Sequence, residues 1–480
     1  MLFLHNTLTK KKESFKSIHT GKVGIYTCGP TVYGNVHIGN LRSYLTADLL
    51  RRVLECLGYE VRHIKNITDV GHLTADDVAQ GDTGEDKIEK KARAEKKTPE
   101  EIARFYEEYF REAERKMNIL PAHAFPRATA HIPDMIRLIE TLLDKGFAYE
   151  KNGNVFLDVT SFKSYGHLSG NTIDTLKVGA RLEEHPDKRH PWDFALWLKA
   201  PDGHLMHWTS PWGTGYPGWH IECSAMSIAY LGEQFDIHTG GEDNIFPHHE
   251  AEITQSECAT GRAPFARFWI HSRHLLVGGE KMSKSKGNLY TLEDIEANGF
   301  SAMDLRMALL SSHYRSQMNF TWEGMGQARV NRKTLESFHT RLSETKKFDT
   351  SEQLLENDAC IEKAERSRAN FIAALEDDLN TPEAITTLLE FTREGNKALD
   401  ANIIGNPEKI TKIFLECIEL LGLVFEKKSE IPESILRLAE AREVARKEKK
   451  FPEADRLREE IERAGFTVED TAQGFVLKKQ

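Results

Sequence analysis

The chain has few cysteines and lacks any long apolar run. Its 6 cysteines are spread over 480 residues, which is unlike the disulfide framework of a secreted protein and favours a reducing compartment. No stretch reaches the roughly 18 apolar residues of a membrane-spanning helix. The first residues, "MLFLHNTLTKKKESF", lack the features of a secretory signal. We therefore expect a cytoplasmic protein with no membrane partner.

An excess of positive charge is also missing. The 64 Lys and Arg residues are outnumbered by 74 Asp and Glu residues, which gives a net charge of −10. Indiscriminate nucleic-acid binding depends on Lys and Arg that neutralise phosphates, so this class is excluded and any RNA partner must meet local basic patches. The length predicts about two to four domains.

The segment from Val23 to Thr68 predicts a strand, a helix and a second strand. The β-rich "VGIYTCG" is followed by helical spacing that ends near Gly58, and "YEVRHIKNIT" then alternates like a strand. This is the length of a βαβ crossover, which indicates a parallel sheet. A second alternation holds the strand-like Phe235–Gly241 and a helix that we expect to begin near Pro247.

Two short motifs indicate phosphate chemistry. "HIGN" ends at Asn40 at a strand-to-helix junction, and "KMSKS" begins at Lys281 after a predicted strand. His37 can donate a hydrogen bond to phosphate at a helix N-terminus, and Gly39 lets a nucleotide base approach the backbone. Lys281 and Lys284 would supply positive charge as pyrophosphate leaves. A Lys/Ser pentapeptide alone is more often a mobile basic turn, so the pair of motifs carries the interpretation.

These two motifs, in this order, resemble the HIGH and KMSKS signatures of the class I aminoacyl-tRNA synthetases. The resemblance implies a Rossmann-type fold in two halves, with the amino-acid carboxylate attacking the α-phosphate of ATP, bound with Mg²⁺. Asn40 departs from HIGH, because its amide keeps a hydrogen-bond donor but cannot become cationic. The share of catalysis expected of this position is therefore open.

A second set of residues has the types and spacing of metal ligands. His248 and Glu252 are four apart and would share a helix face. His249, three residues before Glu252, is an alternative because that spacing also shares a face. Cys28 ends the first strand and Cys223 follows "PGWHIE", so both thiols can reach the edge of the sheet where such folds bind ligands.

The competing interpretation is that each cysteine only fills the core and that His248 pairs with Glu252 on a helix surface. We accept the core-filling interpretation for the four cysteines on other helical patterns, which are Cys56, Cys258, Cys360 and Cys417.

Longer segments resemble the cysteinyl-tRNA synthetase family over nearly the whole chain. They are "YTCGPTVYGNVHIG", "PGWHIECSAM", "GGEDNIFPHHEAEI", "HYRSQMNFTWE" and "DDLNTPEA". The resemblance implies that Cys28, Cys223, His248 and Glu252 hold one zinc ion, to which substrate cysteine binds through its thiolate. Zinc favours thiolate over a serine hydroxyl, whereas pocket shape alone separates such similar side chains by only about 10²-fold.

The same resemblance implies an α/β fold with a two-half Rossmann-type parallel-sheet catalytic domain, an inserted connective segment and an all-α C-terminal anticodon-binding region. The predicted boundaries are 1–130 for the first half, 131–217 for the connective insertion, 218–320 for the second half, 321–425 for the helical domain and 426–480 for a small terminal module.

Further roles rest on weaker signals. Trp219 would close the amino-acid pocket, although a Trp beside Gly and Pro turns is as often a packing anchor. Asp243 and Thr31 would contact ATP, although an Asp in this setting is also typical of a helix N-cap. The expected partners are L-cysteine, ATP and tRNA(Cys), with a monomeric chain. Basic residues near the C-terminus can meet tRNA phosphates: Arg446, Lys447, Lys449 and Lys450.

Two other functions stay open. One is a cysteine ligase that acts on a small amino sugar, as in the mycothiol pathway, although the roughly 160 residues after Phe320 are more than such a core needs. The other is an inactive paralogue that binds RNA, to which only Asn40 points.

Overall fold

This computed structural model describes residues 1–70, 73–75, 83–174, 185–282, 286–345, 353–425, 432–471 and 474–479. The strands, in chain order, are β1 Phe3–Asn6, β2 Lys11–Ser14, β3 Lys22–Thr27, β4 Glu60–Lys65, β5 Leu73–Ala75, β6 Thr83–Asp86, β7 Ala148–Lys151, β8 Asn154–Leu157, β9 Phe194–Lys199, β10 Trp208–Ser210, β11 Gly213–Pro217, β12 Phe235–Gly241, β13 Ala266–Ser272, β14 Leu275–Val277, β15 Glu280–Lys281, β16 Met318–Phe320, β17 Phe466–Thr471 and β18 Gly474–Lys479. The helices are α1 Ile38–Cys56, α2 Lys87–Glu95, α3 Pro99–Lys116, α4 Ile132–Asp144, α5 Trp219–Leu231, α6 Glu250–Thr260, α7 Leu292–Ala297, α8 Ala302–Leu310, α9 Trp322–Glu344, α10 Gln353–Glu376, α11 Thr381–Asp400, α12 Pro407–Leu420, α13 Glu433–Lys447 and α14 Phe451–Arg463.

A four-stranded parallel sheet lies at the centre of the first part of the chain. Its order is β13, β12, β3 and β4, and each neighbouring pair is parallel. Helix α1 connects β3 to β4, as the strand–helix–strand pattern predicts, because parallel neighbours need a crossover of this length. Strands from both halves of the sequence therefore share one sheet, which confirms the Rossmann-type fold.

The residues between these halves form a second sheet. Its order is β10, β11, β9, β8 and β7, with antiparallel neighbours. Trp197 and Phe156 are fully buried within it. The core beneath it also includes Ile139 of α4, Met226 of α5 and Ile253 of α6, so the predicted insertion packs against the helices of the second half.

Four helices, α9 to α12, follow the last strand of the catalytic part and confirm the helical region. Phe338 of α9 meets Phe391 and Phe414, with ring centroids 6.0 and 5.1 Å apart. Gly395 is needed beside this cluster, since an added Cβ would lie 2.3 Å from the Phe338 ring. Among the described helices, none has both the length and the apolar character that crossing a bilayer requires.

Residues Val424–Gln480 form a compact unit of their own. Helices α13 and α14 pack on the antiparallel hairpin of β17 and β18. The core is small and apolar, with Ala439 and Ile461 fully buried. The C-terminal region is therefore helical up to this unit and ends in a hairpin.

One local prediction was wrong. Cys56 is exposed at the end of α1 rather than part of the core, because the last turn of this amphipathic helix emerges at the surface. The helix expected near Pro247 is confirmed: the backbone is extended at Phe246, with φ −139° and ψ 132°, and Pro247–His249 lead as helical backbone into α6 at Glu250. Cys258 and Cys417 are buried as expected, and Cys360 is half-buried.

Candidate active site

A cleft of about 400 Å³ opens at the carboxyl ends of the parallel strands, where folds of this type bind ligands. Its floor includes Cys28, directly after β3. Its sides come from the first turn of α1, the segment after β12 and the hairpin of β14 and β15. Most of the predicted site residues line it: Cys28, Thr31, His37, Gly39, Asn40, Trp219, Asp243 and Lys281.

The four predicted metal ligands converge around Cys28, which lines this cleft. The donor atoms of Cys28, Cys223, His248 and Glu252 all lie within 4.8 Å of one another. Cys28 Sγ is 3.5 Å from Cys223 Sγ and 3.9 Å from Glu252 Oε1. Nε2 of His248 lies 3.2 Å from the same Glu252 oxygen. Three segments distant in sequence supply this set, since His248 and Glu252 are only four residues apart, and the fold brings all four predicted ligands together.

The donor set fits a tetrahedral zinc ion. Ligand atoms about 2.3 Å from such an ion lie about 3.8 Å apart, close to the separations among Cys28, Cys223 and Glu252. Two thiols, one imidazole and one carboxylate are also ligand types that zinc accepts. The predicted ligands thus meet both the distance and the chemistry of the ion.

Both thiols are held in an environment that disfavours their charged form. Burial raises the pKa of Cys223 well above its usual value. For Cys28, the hydrogen bond from Cys223 lowers the pKa, but burial and the Glu252 carboxylate together raise it by more. A divalent cation would reverse this balance, because it stabilises thiolates directly.

Two further histidines orient the predicted ligands. Nε2 of His238 is 2.8 Å from Glu252 Oε2, and Nδ1 of His220 is 2.9 Å from Nδ1 of His248. Hydrogen bonds of this kind fix the orientation of metal ligands. Sequence reasoning missed both residues. The signal was present in "PGWHIE" and "FDIHTGG", where a histidine stands at a buried position.

The alternative ligand His249 belongs to a second group that shares Glu252. Its donor atoms cluster with those of His238 and Glu252. Nε2 of His249 lies 3.8 Å from Glu252 Oε1, and its Nδ1 lies 2.7 Å from Nε2 of His271. Burial lowers the pKa of His249 well below the usual value. His248, not His249, therefore groups with the two thiols.

His37 and Asn40 form the start of α1. His37 is the N-cap residue, and its ring accepts a hydrogen bond from the Asn40 main-chain N–H. The Asn40 side chain accepts one in return from the His37 main-chain N–H. Gly39 lies between them, with the Met282 methyl group 2.6 Å from the position that a Cβ would take. The predicted phosphate-binding motif is thus a capped helix N-terminus.

The "KMSKS" segment is described only in part. Lys281 ends β15, and its Nζ lies 3.5 Å from Asp243 Oδ1 across the cleft. Ser283, Lys284 and Ser285 lie outside the described residues. The prediction for Lys284 therefore has no structural counterpart here.

Trp219 and Asp243 both line the cleft. The Trp219 ring stacks on His248, with centroids 4.3 Å apart and planes at 25°, so it covers a predicted ligand. Asp243 lies inside the short turn Glu242–Asn244, whose N-cap residue is Gly241, which makes the N-cap interpretation wrong. Its carboxylate faces His274, with a separation of 3.3 Å.

Family models and full-length relatives point to the same protein family. A family model described as the class I (C) catalytic domain of tRNA synthetases matches residues 14–330, a DALR domain matches 370–426, and a cysteinyl-tRNA ligase anticodon-binding domain matches 428–475. The chain is 44% identical to a cysteine–tRNA ligase of Thermus thermophilus, over 98% of each chain. It is 42% identical to that of Chlorobaculum tepidum, over 100% of this chain and 99% of the relative.

A solved structure supports the fold independently. Methionyl-tRNA synthetase of Mycobacterium tuberculosis, in complex with methionyl-adenylate, superposes with a TM-score of 0.61, 14% identity, and coverage of 83% of this chain and 91% of that one. At this identity the likeness concerns the fold alone. From the full-length sequence matches, the chain belongs to the cysteine–tRNA ligase family of class I aminoacyl-tRNA synthetases.

Proposed function

We propose that this chain activates L-cysteine with ATP and transfers the cysteinyl group to the 3′ end of tRNA(Cys). The observation that carries the proposal is the layout of one cleft, which is lined by Cys28, His37 and Lys281 and in which Cys28 belongs to a group of thiol, imidazole and carboxylate donors. A cysteinyl-adenylate has a sulfur at one end and a phosphate at the other. Its sulfur would lie at the group of donors around Cys28, and its phosphate would lie beside His37 and Lys281.

We propose one zinc ion per chain, held by Cys28, Cys223, His248 and Glu252. When bound, zinc supplies a Lewis acid that accepts a substrate thiolate far more readily than a serine hydroxyl. His238 and the Trp219 ring, which contact Glu252 and His248, would keep the ligand side chains in place.

The ATP site would lie between the start of α1 and the β15 segment, with Mg²⁺ accompanying the nucleotide. His37, Lys281 and Lys284 would face the phosphates, Gly39 would allow close approach of the nucleotide, and Asp243 with Thr31 would contact it. As the cysteine carboxylate bonds to the α-phosphorus, the bond to the β-phosphate oxygen breaks and pyrophosphate leaves. Positioning and positive charge lower this barrier without a protein nucleophile.

In the second step a ribose hydroxyl of the terminal tRNA nucleotide attacks the adenylate carbonyl, and AMP leaves. We propose that the helical residues 321–425 and the terminal module 426–480 bind tRNA, the latter through its basic cluster. We also propose the boundaries of the catalytic part: 1–130 for its first half, 131–217 for the insertion and 218–320 for its second half. A monomeric chain in the cytoplasm also stays a prediction.

The experiment is cysteine-dependent exchange of pyrophosphate into ATP, followed by transfer of labelled cysteine to tRNA(Cys). Exchange should require cysteine, fail with serine and be lost after zinc chelation, with recovery when zinc is returned. Transfer should then follow with tRNA(Cys).

Other outcomes separate the competing functions. Exchange without transfer to tRNA would favour a ligase for a small amino acceptor. No exchange by zinc-loaded protein would contradict the proposed activity and favour the inactive paralogue.

A further inference from the structure

The two hydrogen bonds at the start of α1 form a reciprocal capping box between an imidazole and an amide. The Asn40 main-chain N–H donates to His37 Nδ1 over 3.2 Å, and the His37 main-chain N–H donates to Asn40 Oδ1 over 3.2 Å. Capping boxes usually pair Ser or Thr with Glu or Gln. Here the N-cap side chain, His37, is also the group predicted to donate a hydrogen bond to phosphate.

This geometry determines which ring nitrogen of His37 carries the proton. A neutral imidazole has one protonated nitrogen and one acceptor nitrogen. Because Nδ1 accepts the Asn40 N–H, the proton of the neutral ring is on Nε2. Which nitrogen acts as a donor is commonly set by the hydrogen bond that the other nitrogen makes.

The position of His37 is in turn held from two sides. Asn40 Oδ1 binds its main-chain N–H, and the next residue, Ile38, donates its own N–H to Tyr290 O over 2.9 Å. Tyr290 follows the KMSKS segment in the chain. The Asn40 side chain therefore supplies one of these two hydrogen bonds that hold the backbone at His37 in place.

We propose that Asn40 is a positioning residue: its side chain anchors the His37 backbone, so that the ring accepts the Asn40 main-chain N–H, stays the Nε2–H tautomer and can donate a hydrogen bond to an ATP phosphate. The inference rests on the proposed function for the identity of the acceptor, but the tautomer itself follows from the capping box. An amide suits this place because it accepts the His37 N–H without adding charge. A carboxylate would accept the same bond but would repel the phosphates.

The test combines nitrogen NMR of histidine-labelled full-length protein with pyrophosphate exchange. His37 is assigned as the signal lost in His37→Gln, at a pH where neutral histidine dominates. Wild-type His37 should show a protonated Nε2 and an acceptor Nδ1. Asn40→Leu keeps the main-chain N–H but removes the acceptor that anchors the His37 backbone, so the ring should leave this N–H, give mixed tautomers and slow exchange about 10- to 100-fold. Asn40→Asp should keep the tautomer but raise the KM for ATP.

A matched control distinguishes positioning from loss of any helix cap. Asn406 Oδ1 accepts the Lys409 N–H at the start of α12, over 3.1 Å. Asn406→Leu should lower the melting temperature to a comparable degree as Asn40→Leu, with the His37 signals and the exchange rate unchanged.

Three results would overturn the inference: an Nδ1–H tautomer in the wild type, an unchanged tautomer in Asn40→Leu, or normal exchange despite a changed tautomer. If the wild type shows the Nε2–H tautomer but no cysteine-dependent exchange, the proposed function fails and the positioning of His37 stands.

Discussion

Individual side chains at the base of the cleft set its chemistry. Six cysteines are present in the chain, and the fold places Cys28 and Cys223 3.5 Å apart beside a carboxylate. Cys258 is buried in the same core on α6, yet it is not among the four grouped donors. A buried cysteine can therefore be a predicted zinc ligand or a core residue. The donor side chains beside it distinguish the two.

Replacing Cys223 by alanine should strongly weaken zinc binding at this site. Zinc affinity should fall about 100-fold or more, because a ligand is lost in addition to its supporting contacts. The preference for cysteine over serine should fall toward the limit of about 10²-fold that pocket shape provides. Metal content and exchange with each amino acid measure the two effects. Cys258→Ala is the control, and equal zinc loss in that variant would contradict the assignment.

Replacing Gly39 by alanine should impair the use of ATP. The new Cβ would lie 2.6 Å from the Met282 methyl group and 3.0 Å from His37 Nδ1. Since the imidazole must move, the ratio kcat/KM for ATP should fall about 10- to 100-fold. Gly326→Ala in α9 provides the control, because nothing lies within 4 Å of its added Cβ. An unchanged kcat/KM in Gly39→Ala would mean that this close approach has no role.

Among the elements, α1 links the cleft to the helices that follow the catalytic part. Its first turn carries His37 and Asn40, and Asp48 lies in its buried middle. Asp48 pairs with Arg52 on the same helix, at 3.0 Å, and with Arg306 on α8. Arg306 also donates to Leu421 O over 2.6 Å, just beyond α12. One buried carboxylate thus joins three helices.

Asp48→Asn should destabilise the first unit by about 3–5 kcal/mol at pH 7, because two buried guanidinium groups lose their counter-charge. Burial raises the pKa of Asp48, but Arg306 and Arg52 lower it by more, below its ordinary 3.8. The ionised carboxylate therefore stabilises the fold above that value, and this stabilisation is lost as the pH falls through the folded-state pKa. The difference in the free energy of unfolding between variant and wild type should become smaller below about pH 3.8.

Urea unfolding at several pH values measures this difference. Glu100→Gln is the control, since its partner Arg104 and Glu100 itself are largely exposed and such pairs add little stability. A difference that does not change with pH would contradict the assigned role of the charge.

The whole molecule consists of two compact units, Met1–Leu423 and Val424–Gln480. The cleft belongs entirely to the first. The second has a small core and a charged surface on which most described basic residues have acidic neighbours, such as Lys447 with Glu443 at 2.7 Å. The proposed tRNA contacts of the second unit can therefore be altered without substituting any residue of the cleft.

Replacing Arg446, Lys447, Lys449 and Lys450 by glutamine in the full chain should weaken tRNA binding without affecting cysteine activation. Each lost phosphate contact should make the salt dependence of tRNA binding shallower by about one unit of slope. Transfer kinetics at several salt concentrations give the slope, and pyrophosphate exchange is the internal control. An unchanged slope would show that this cluster does not meet phosphates.

The sequence by itself determined the chemistry and the order of the elements. Period-two and helical spacing identify β3, α1 and β4. Cys28, Cys223 and Glu252 can be recognised as candidate ligands from the sequence because metal and phosphate sites need particular side chains. Local patterns carry this information because neighbouring residues share one strand or one helix face.

Only the tertiary structure decided how those side chains meet. Both His248 and His249 have a spacing from Glu252 that shares a helix face, so spacing alone could not show which of them groups with the thiols. The supporting bond from His238 joins a strand to a helix, and the role of Asn40 depends on a ring rotamer. These are contacts set by packing and side-chain geometry, which residue type and spacing do not specify.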